Sequence, residues 1–284
     1  MYSGIVSLFL IAVLVVSLYP REKKPVRSSS AGGIEFSPKD SDKFTILCTL
    51  SQNDNSSPYA YFLIGFNGPL SQISVTRLFS ETVLSEDGAQ NKIILGEVFD
   101  KSGARGAVSE LNRLLALNVG RYISFTNSTL AEFAELFNPI TINVPQNLSQ
   151  VDRKRDIFIK IDKGRQALGG ALLVDYIACT AWNFGSSQTL KESAEALTAF
   201  LRQNHKALSL ALDERAESFI LSRTNTNISV TDIERRRELV KFLLFESGDG
   251  VITLAAQGEY RNSNTEFHLS AQSRKSLRSR YGTI

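Results

Sequence analysis

Apolar residues follow three different patterns along this chain. From Gly4 to Tyr19 they run unbroken and uncharged (GIVSLFLIAVLVVSLY); from Pro20 to about Ser41 they give way to Pro, Ser, Gly and charge with no periodic face; after Asp42 they alternate between short runs and helical stripes. The runs FTILCTL (44–50) and AYFLIGF (60–66) are nearly continuous, which predicts strands buried on both faces, and ISVTRLF (73–79) predicts a third. Ala107, Leu111, Leu114 and Leu115 return at helical spacing and predict a helix over 103–119, followed by a strand over 121–127. Thr129 opens a short helix that Asn138-Pro139 stops, before a strand over 141–145. The charged stretch 149–165 reads as a surface loop holding one strand, DIFIKI (156–161). An apolar run from Ala171 to Ala178, entered through Gly169 and Gly170, reads as a buried element that hands a polar Gly/Ser loop to a long helix. That helix spans 189–212, with Leu190, Ala194, Leu197, Leu201 and Leu208 on one stripe. Ser229 or Thr231 caps a further helix running through Leu239, a strand and turn occupy 251–261, and a basic helix closes the chain over 271–282.

The first two patterns divide the chain before any chemistry is considered. Residues 1–19 are long enough to cross a bilayer with some thinning and read as an uncleaved transmembrane anchor. A cleaved signal peptide is the competing reading, but no basic region precedes the run and no small-x-small site precedes Pro20. Residues 20–41 form a linker, and 42–284 a folded domain. With 284 residues and a net charge of +3, the chain has room for one sizeable core and no strongly basic surface, which argues against nucleic acid as a partner. Cys48 and Cys179 sit in separate apolar stretches as small buried hydrophobes, with a disulfide open if the domain lies outside the cytoplasm. His205 and His268 have no Cys or carboxylate at ligand spacing, so no metal site of the zinc type is expected.

The segment LGGALLVDYIACTAWNFGSSQTL (168–190) carries the most information. It resembles the LytR–CpsA–Psr family of bacterial envelope proteins, whose Leu-Asp-Gly-Glu-Gln-Ala-Leu-Ala-Tyr-Val-Arg segment is followed by Gly-Asp-Phe-Gly-Arg-x-x-Arg-Gln. Leu168, Gly170 and Tyr176 fall on the first pattern, and Asn183, Phe184 and Gly185 on the second. The resemblance extends over nearly all of the chain after residue 42 and implies a single α/β domain, a mixed central sheet covered by helices, preceded by one N-terminal transmembrane helix. It also implies that the domain faces outward, whereas Arg21, Lys23, Lys24 and Arg27 directly after the apolar run favour the cytoplasm; the resemblance is followed here.

In the family, the resemblance implies, arginines grip the pyrophosphate of a polyprenyl-linked glycan and carboxylates hold a divalent cation. Here Ala178, Ser186 and Thr189 stand at the arginine positions, Leu190 at the glutamine, and Tyr59 and Leu78 at the carboxylates. A phenol and an alkyl chain are poor ligands for magnesium. The remaining candidates for contact with a lipid phosphate are Arg77, Lys92, Gly170, Tyr176 and Gly185, with no catalytic residue assigned and no metal ligand. Arg77 is expected to point into an apolar-walled cavity bounded by residues 168–176. The charged Arg153, Lys154 and Arg155 face lipid phosphates or simply solvent. Three functions follow. The first is a membrane-anchored envelope protein of glycopolymer assembly that has lost transfer chemistry and binds at most a polyprenyl-phosphate lipid or a partner of the wall-polymer machinery, without a cofactor. The second is an active transferase moving glycopolymer from polyprenyl pyrophosphate to peptidoglycan, with magnesium, in which Arg77, Lys92 and Arg105 or Arg165 take over the lost roles. The third is a membrane-tethered interaction domain unrelated to wall polymers. The substitutions favour the first, because phosphoryl transfer depends on placed cations.

Overall fold

The structure, a computed structural model, describes residues 36–86, 89–152, 157–183, 185–212, 215–246 and 250–282. The expected anchor (1–19), most of the linker and Phe184 lie outside the described residues. Among the described residues no helix is long and apolar enough to cross a membrane. Residues from Phe36 onward form one compact α/β unit, and Phe36 itself packs on Phe242 with ring centroids 5.6 Å apart.

In chain order the elements are β1 (Lys43–Ser51), β2 (Ala60–Asn67), β3 (Gln72–Leu78), β4 (Thr82–Val83), α1 (Leu95–Leu115), β5 (Val119–Thr126), α2 (Asn127–Glu135), β6 (Ile140–Val144), β7 (Leu148–Asp152), β8 (Ile157–Ile161) and β9 (Gly164–Leu168). They continue with α3 (Gly170–Ala178), α4 (Ser186–Gln203), α5 (His205–Ala211), α6 (Arg215–Arg223), β10 (Asn225–Thr226), α7 (Val230–Glu246), β11 (Val251–Thr253), β12 (Gly258–Arg261), β13 (Glu266–Leu269) and α8 (Ala271–Tyr281). A six-stranded mixed sheet, ordered β10-β5-β1-β2-β3-β11, runs through the middle, with β1–β2 and β2–β3 antiparallel and β1–β5 and β3–β11 parallel.

The sheet is covered on both sides, which is why β1 and β2 read as continuous apolar runs. Cys48 and Leu50 of β1, Phe62 of β2 and Ile73 and Val75 of β3 join one core with Leu173 and Tyr176 of α3, Ala194 and Phe200 of α4 and Leu243 of α7. Leu47, Tyr61, Leu63 and Leu78 point the other way, into a second core with Leu111 and Leu115 of α1, Phe267 of β13 and Tyr281 of α8.

Several elements differ from the reading of the sequence, each for a physical reason. The charged stretch expected to be a loop is a β7–β8 hairpin followed by β9; Leu148, Ile159 and Ile161 are 1–3% exposed, so a period-two apolar face was present among the charges. The long helix over 189–212 breaks at Asn204, whose side-chain amide pairs with both backbone groups of Asn138, at 3.1 Å from its N–H and 3.0 Å from its carbonyl. Helix α1 starts at Leu95 and is interrupted at Gly103, where φ is 63°. Ser229 caps α7 by accepting the Asp232 N–H at 3.2 Å, and the helix runs on to Glu246. Both cysteines are free and buried, so the disulfide does not form; burial pushes the Cys48 thiol up to about 12.

Candidate functional site

Strand register decides where Arg77 goes. Phe62 lies opposite Arg77 and Cys48 opposite Phe62, so the guanidinium shares the face that α3 and α4 cover. Arg77 is 1% exposed. Its Nη1 donates to the Ile177 carbonyl at 3.1 Å, to the Thr189 carbonyl at 3.5 Å and to Ser193 Oγ. Ile177 sits in the last turn of α3, where a carbonyl has no partner within the helix, and Ser193 Oγ also donates to it at 2.9 Å. Arg77 Nε is buried without a partner. Burial brings the guanidinium down to about 10, so it stays cationic at neutral pH. A depression of that size corresponds to a cost on the order of 3 kcal/mol for holding the charge inside. The Ile177 carbonyl has a second donor in Ser193 and Arg77 Nε has no partner, so part of the cost of burying the charge is left without compensation.

Arg77 forms part of the wall of a polar cavity of about 370 Å³. Tyr59, Phe79, Ser80 and Glu81 line it from the ends of the sheet strands, Thr180, Gly185, Ser186 and Thr189 from the α3–α4 loop and the start of α4, and Tyr260 and Asn264 from β12 and its turn. Tyr59 donates to Asn127 Oδ1 at 2.6 Å, and Glu81 accepts the Ser80 hydroxyl at 2.8 Å. Gly185 precedes α4 with φ 78° and offers no side-chain cap, so the first-turn N–H groups of an 18-residue helix are left for another acceptor. Asn262, Ser263 and Asn264 all have positive φ (51°, 56° and 66°), a tight turn that carries Asn264 to the rim.

At the other end of the same sheet face is an apolar recess of about 190 Å³, lined by Phe44, Ile46 and Phe66 with Ile220, Ile233 and Val240 over them. Arg236 stacks on Phe44 with its guanidinium carbon 4.2 Å from the ring centroid, and Arg121 and Asp232 pair at 2.6 Å on the rim. Four residues along β2, roughly 13 Å, separate the Phe44–Phe66 row from the row that holds Cys48, Phe62 and Arg77. Half-buried Ile64 and buried Val75 stand in the interval.

Comparison with known proteins places this arrangement. The LytR_cpsA_psr family model matches residues 69–279. The chain belongs to that family. No curated protein sequence matches it. Among solved structures, a protein of Eubacterium siraeum DSM 15702 described as a transcription regulator is similar over 86% of this chain and 93% of its own, at 22% identity and TM-score 0.77. Bacillus subtilis TagV is similar over 87% of this chain and 100% of its own, at 17% identity and TM-score 0.64. TagT, in a structure with bound LI-WTA, covers 88% and 95% at 14% identity and TM-score 0.62. At these identities the structures establish the shared fold.

In this LytR_cpsA_psr protein some of the positions that the resemblance matched to family site residues share one cavity, while Leu78 and Leu190 belong to the opposite core. Tyr59, Ser186 and Thr189 line the Arg77 cavity, and Ala178 lies beside the Ile177 carbonyl that Arg77 grips. Leu78 faces the opposite core, one residue out of phase with Arg77. Of the phosphate-contact candidates, the cavity brings together Arg77 and Gly185. Lys92 is elsewhere: it pairs with Glu266 at 2.7 Å and lines a surface recess with Glu97, Lys101 and Arg113. Gly170, at φ +48°, serves packing, since a Cβ there would come within 2.4 Å of the Glu135 carboxylate. Tyr176 is buried against Trp182 and donates to Glu192 at 2.9 Å. Arg105 and Arg165 are exposed and do not line the cavity. The expected apolar walls are replaced by a mixed lining: Leu168, Leu173 and Tyr176 stay in the core, and Phe79, hydroxyls, phenols, the Asn264 amide and one carboxylate surround the cavity. Glu81, Thr180, Tyr260 and Asn264 were missed, and the polar Asn262–Thr265 turn between β12 and β13 was the available clue for the last two. Among the described residues no group of three or more His, Cys, Asp or Glu side chains is placed to hold a metal ion.

Proposed function

We propose that this chain works in cell-wall glycopolymer assembly as a membrane-anchored LytR_cpsA_psr protein that binds the phosphate of a polyprenyl-phosphate lipid and does not transfer it. The supporting observation is Arg77: a buried cation with an unpartnered donor, retained at a cost to stability, on the wall of a cavity that also presents the uncapped start of α4. A guanidinium beside helix N–H groups is an anion site. Its capacity is one anionic group, because Arg77 is the one cation among the described lining residues and Glu81 shares the cavity. A pyrophosphate undergoing transfer needs several donors for its developing charge, and losing one oriented donor typically costs on the order of 100-fold in rate. Magnesium has a poor fit, since one carboxylate, already accepting from Ser80, is the only hard charged ligand among the described lining residues. The transferase reading also loses Lys92, which is committed to Glu266.

The test is native mass spectrometry of the detergent-extracted full chain with polyprenyl monophosphate and polyprenyl diphosphate, alongside an assay for phosphate release with magnesium. The monophosphate should stay bound, Arg77→Met should lose it by more than about tenfold, the equivalent of one charge-assisted hydrogen bond of about 1.5–3 kcal/mol, and no phosphate should be released. Robust magnesium-stimulated turnover that disappears in Arg77→Ala would make this protein a working transferase with a rearranged site.

A further inference from the structure

The β7–β8 hairpin is a two-stranded ladder separate from the central sheet. Its inner face packs on the core through Leu148, Ile159 and Ile161, and Gln150 on that side accepts the N–H groups of Thr180 (2.7 Å) and Ala181 (3.2 Å). The hairpin is thereby tied to the loop that walls the Arg77 cavity. The outer face behaves differently. Val151 and Phe158 are directly opposite each other in register and 62% and 61% exposed, and the next pair on that face, Ser149 and Lys160, is exposed as well. An apolar cross-strand pair held in water contributes little to the fold, and here a cation stands beside it on the same face.

We propose that this outer face rests on an anionic phospholipid bilayer, with Val151 and Phe158 entering the headgroup boundary and Lys160 reaching a lipid phosphate. The proposal rests on the reading that the chain is membrane-associated. Charge and area select the occupant. A soluble polyanion would pair with Lys160 and leave the two apolar side chains in water, while a stable protein interface requires about 800 Å² from each partner, far more than two side chains supply. A bilayer rewards both features at once, because apolar groups enter the acyl boundary while a lysine stem lies along it with its ammonium at the phosphates. Such a contact is weak alone and sufficient when a second attachment already confines the domain to the surface. Through Gln150 it would also hold the Thr180 side of the cavity toward the plane where lipid phosphates lie.

The experiment uses the full-length chain in lipid nanodiscs, with an environment-sensitive fluorophore on Phe158→Cys and, as control, on Leu210→Cys, another exposed apolar position (78%) away from the hairpin. Acyl-chain-brominated lipids report depth. Quenching at position 158 should be several-fold stronger in anionic than in zwitterionic discs and should fall in the Lys160→Glu background, while position 210 stays unquenched in both. Equal quenching at 158 and 210 in anionic discs overturns the proposal, as does a concentration-dependent spectral shift at 158 without quenching, which would mark contact with a second copy. Failure of the chain to co-elute with the discs would remove the membrane reading itself, and this proposal with it. Co-elution without quenching at 158 removes the proposal alone.

Discussion

The cavity around Arg77 and the recess beneath α7 lie on one face of one sheet, yet they are opposite kinds of space. The recess has aromatic and aliphatic walls, and its charges are paired at the rim: Arg121 with Asp232, Arg237 with Glu217, and Arg236 stacked on Phe44. The cavity is walled by hydroxyls and phenols, and its cation is inside, partly satisfied and buried. A ligand with a long apolar tail and a phosphate head needs both, joined. Here Ile64, Val75, Cys48 and Phe62 stand between them on that face, and the two spaces are separate. The difference lies in where the charge sits: at the recess it is paired or stacked at the rim, and at the cavity a cation is buried on three acceptors and beside the Phe79 ring.

The largest effect should come from opening a passage between them. Phe62 is 2% exposed and lies between the two spaces, so Phe62→Ala should cost about 3–5 kcal/mol in denaturant unfolding and raise the affinity for long-chain alkyl phosphates. An affinity unchanged from wild type would show that the two ends are not parts of one amphipathic site. Next in size is Arg77→Met, which removes the buried charge while keeping an apolar stem. Stability should hold or rise by on the order of 1–3 kcal/mol while anion binding disappears. A fall of several kcal/mol would instead make Arg77 a structural clamp on the end of α3. At the recess the opposite sign is expected: Arg236→Gln removes the stacking on Phe44 and should lower stability by about 0.5–1 kcal/mol, read from the midpoint of a urea transition. The smallest effect appears only on acidification. The Arg121 guanidinium holds the Asp232 carboxyl well below the usual carboxylate range. Its folded value is lower than its unfolded one, so its contribution is complete above about pH 4 and is lost as pH falls through the lowered value. Asp232→Asn should therefore flatten the acid limb of the stability profile, whereas Arg77→Met should leave that limb as it is. Equal acid limbs in wild type and Asp232→Asn would show that the rim pair does not contribute.

Much of this was legible before any coordinates. The continuous runs of β1 and β2 and the stripe of α1 gave those elements, and the 168–190 segment with the order of motifs carried the resemblance to the family. The resemblance also implied that Ala178, Ser186, Thr189, Tyr59 and Leu78 stand where the family carries arginines and carboxylates. The sequence did not show the β7–β8 pairing, because the exposed Val151 and Phe158 break the apolar-in, polar-out alternation whose inward members are Leu148, Ile159 and Ile161. Nor did it show the break at Asn204, which depends on pairing with Asn138, 66 residues away.

The sequence by itself determined which side chains the 168–190 segment and the third strand offer: one arginine, Arg77, and no cation between Ala171 and Thr189. Periodicity marked the apolar stripes of the two cores, but neither the burial of Arg77 nor the exposure of Val151 and Phe158. Only the tertiary structure decided that Arg77 and Gly185 share a cavity while Lys92, Gly170 and Tyr176 do not, and that Glu81, Tyr260 and Asn264 complete its wall. Strand register and the packing of α3 and α4 across the sheet set those neighbours, and both come from contacts between residues far apart in the chain, which a local pattern of apolar and polar positions does not encode.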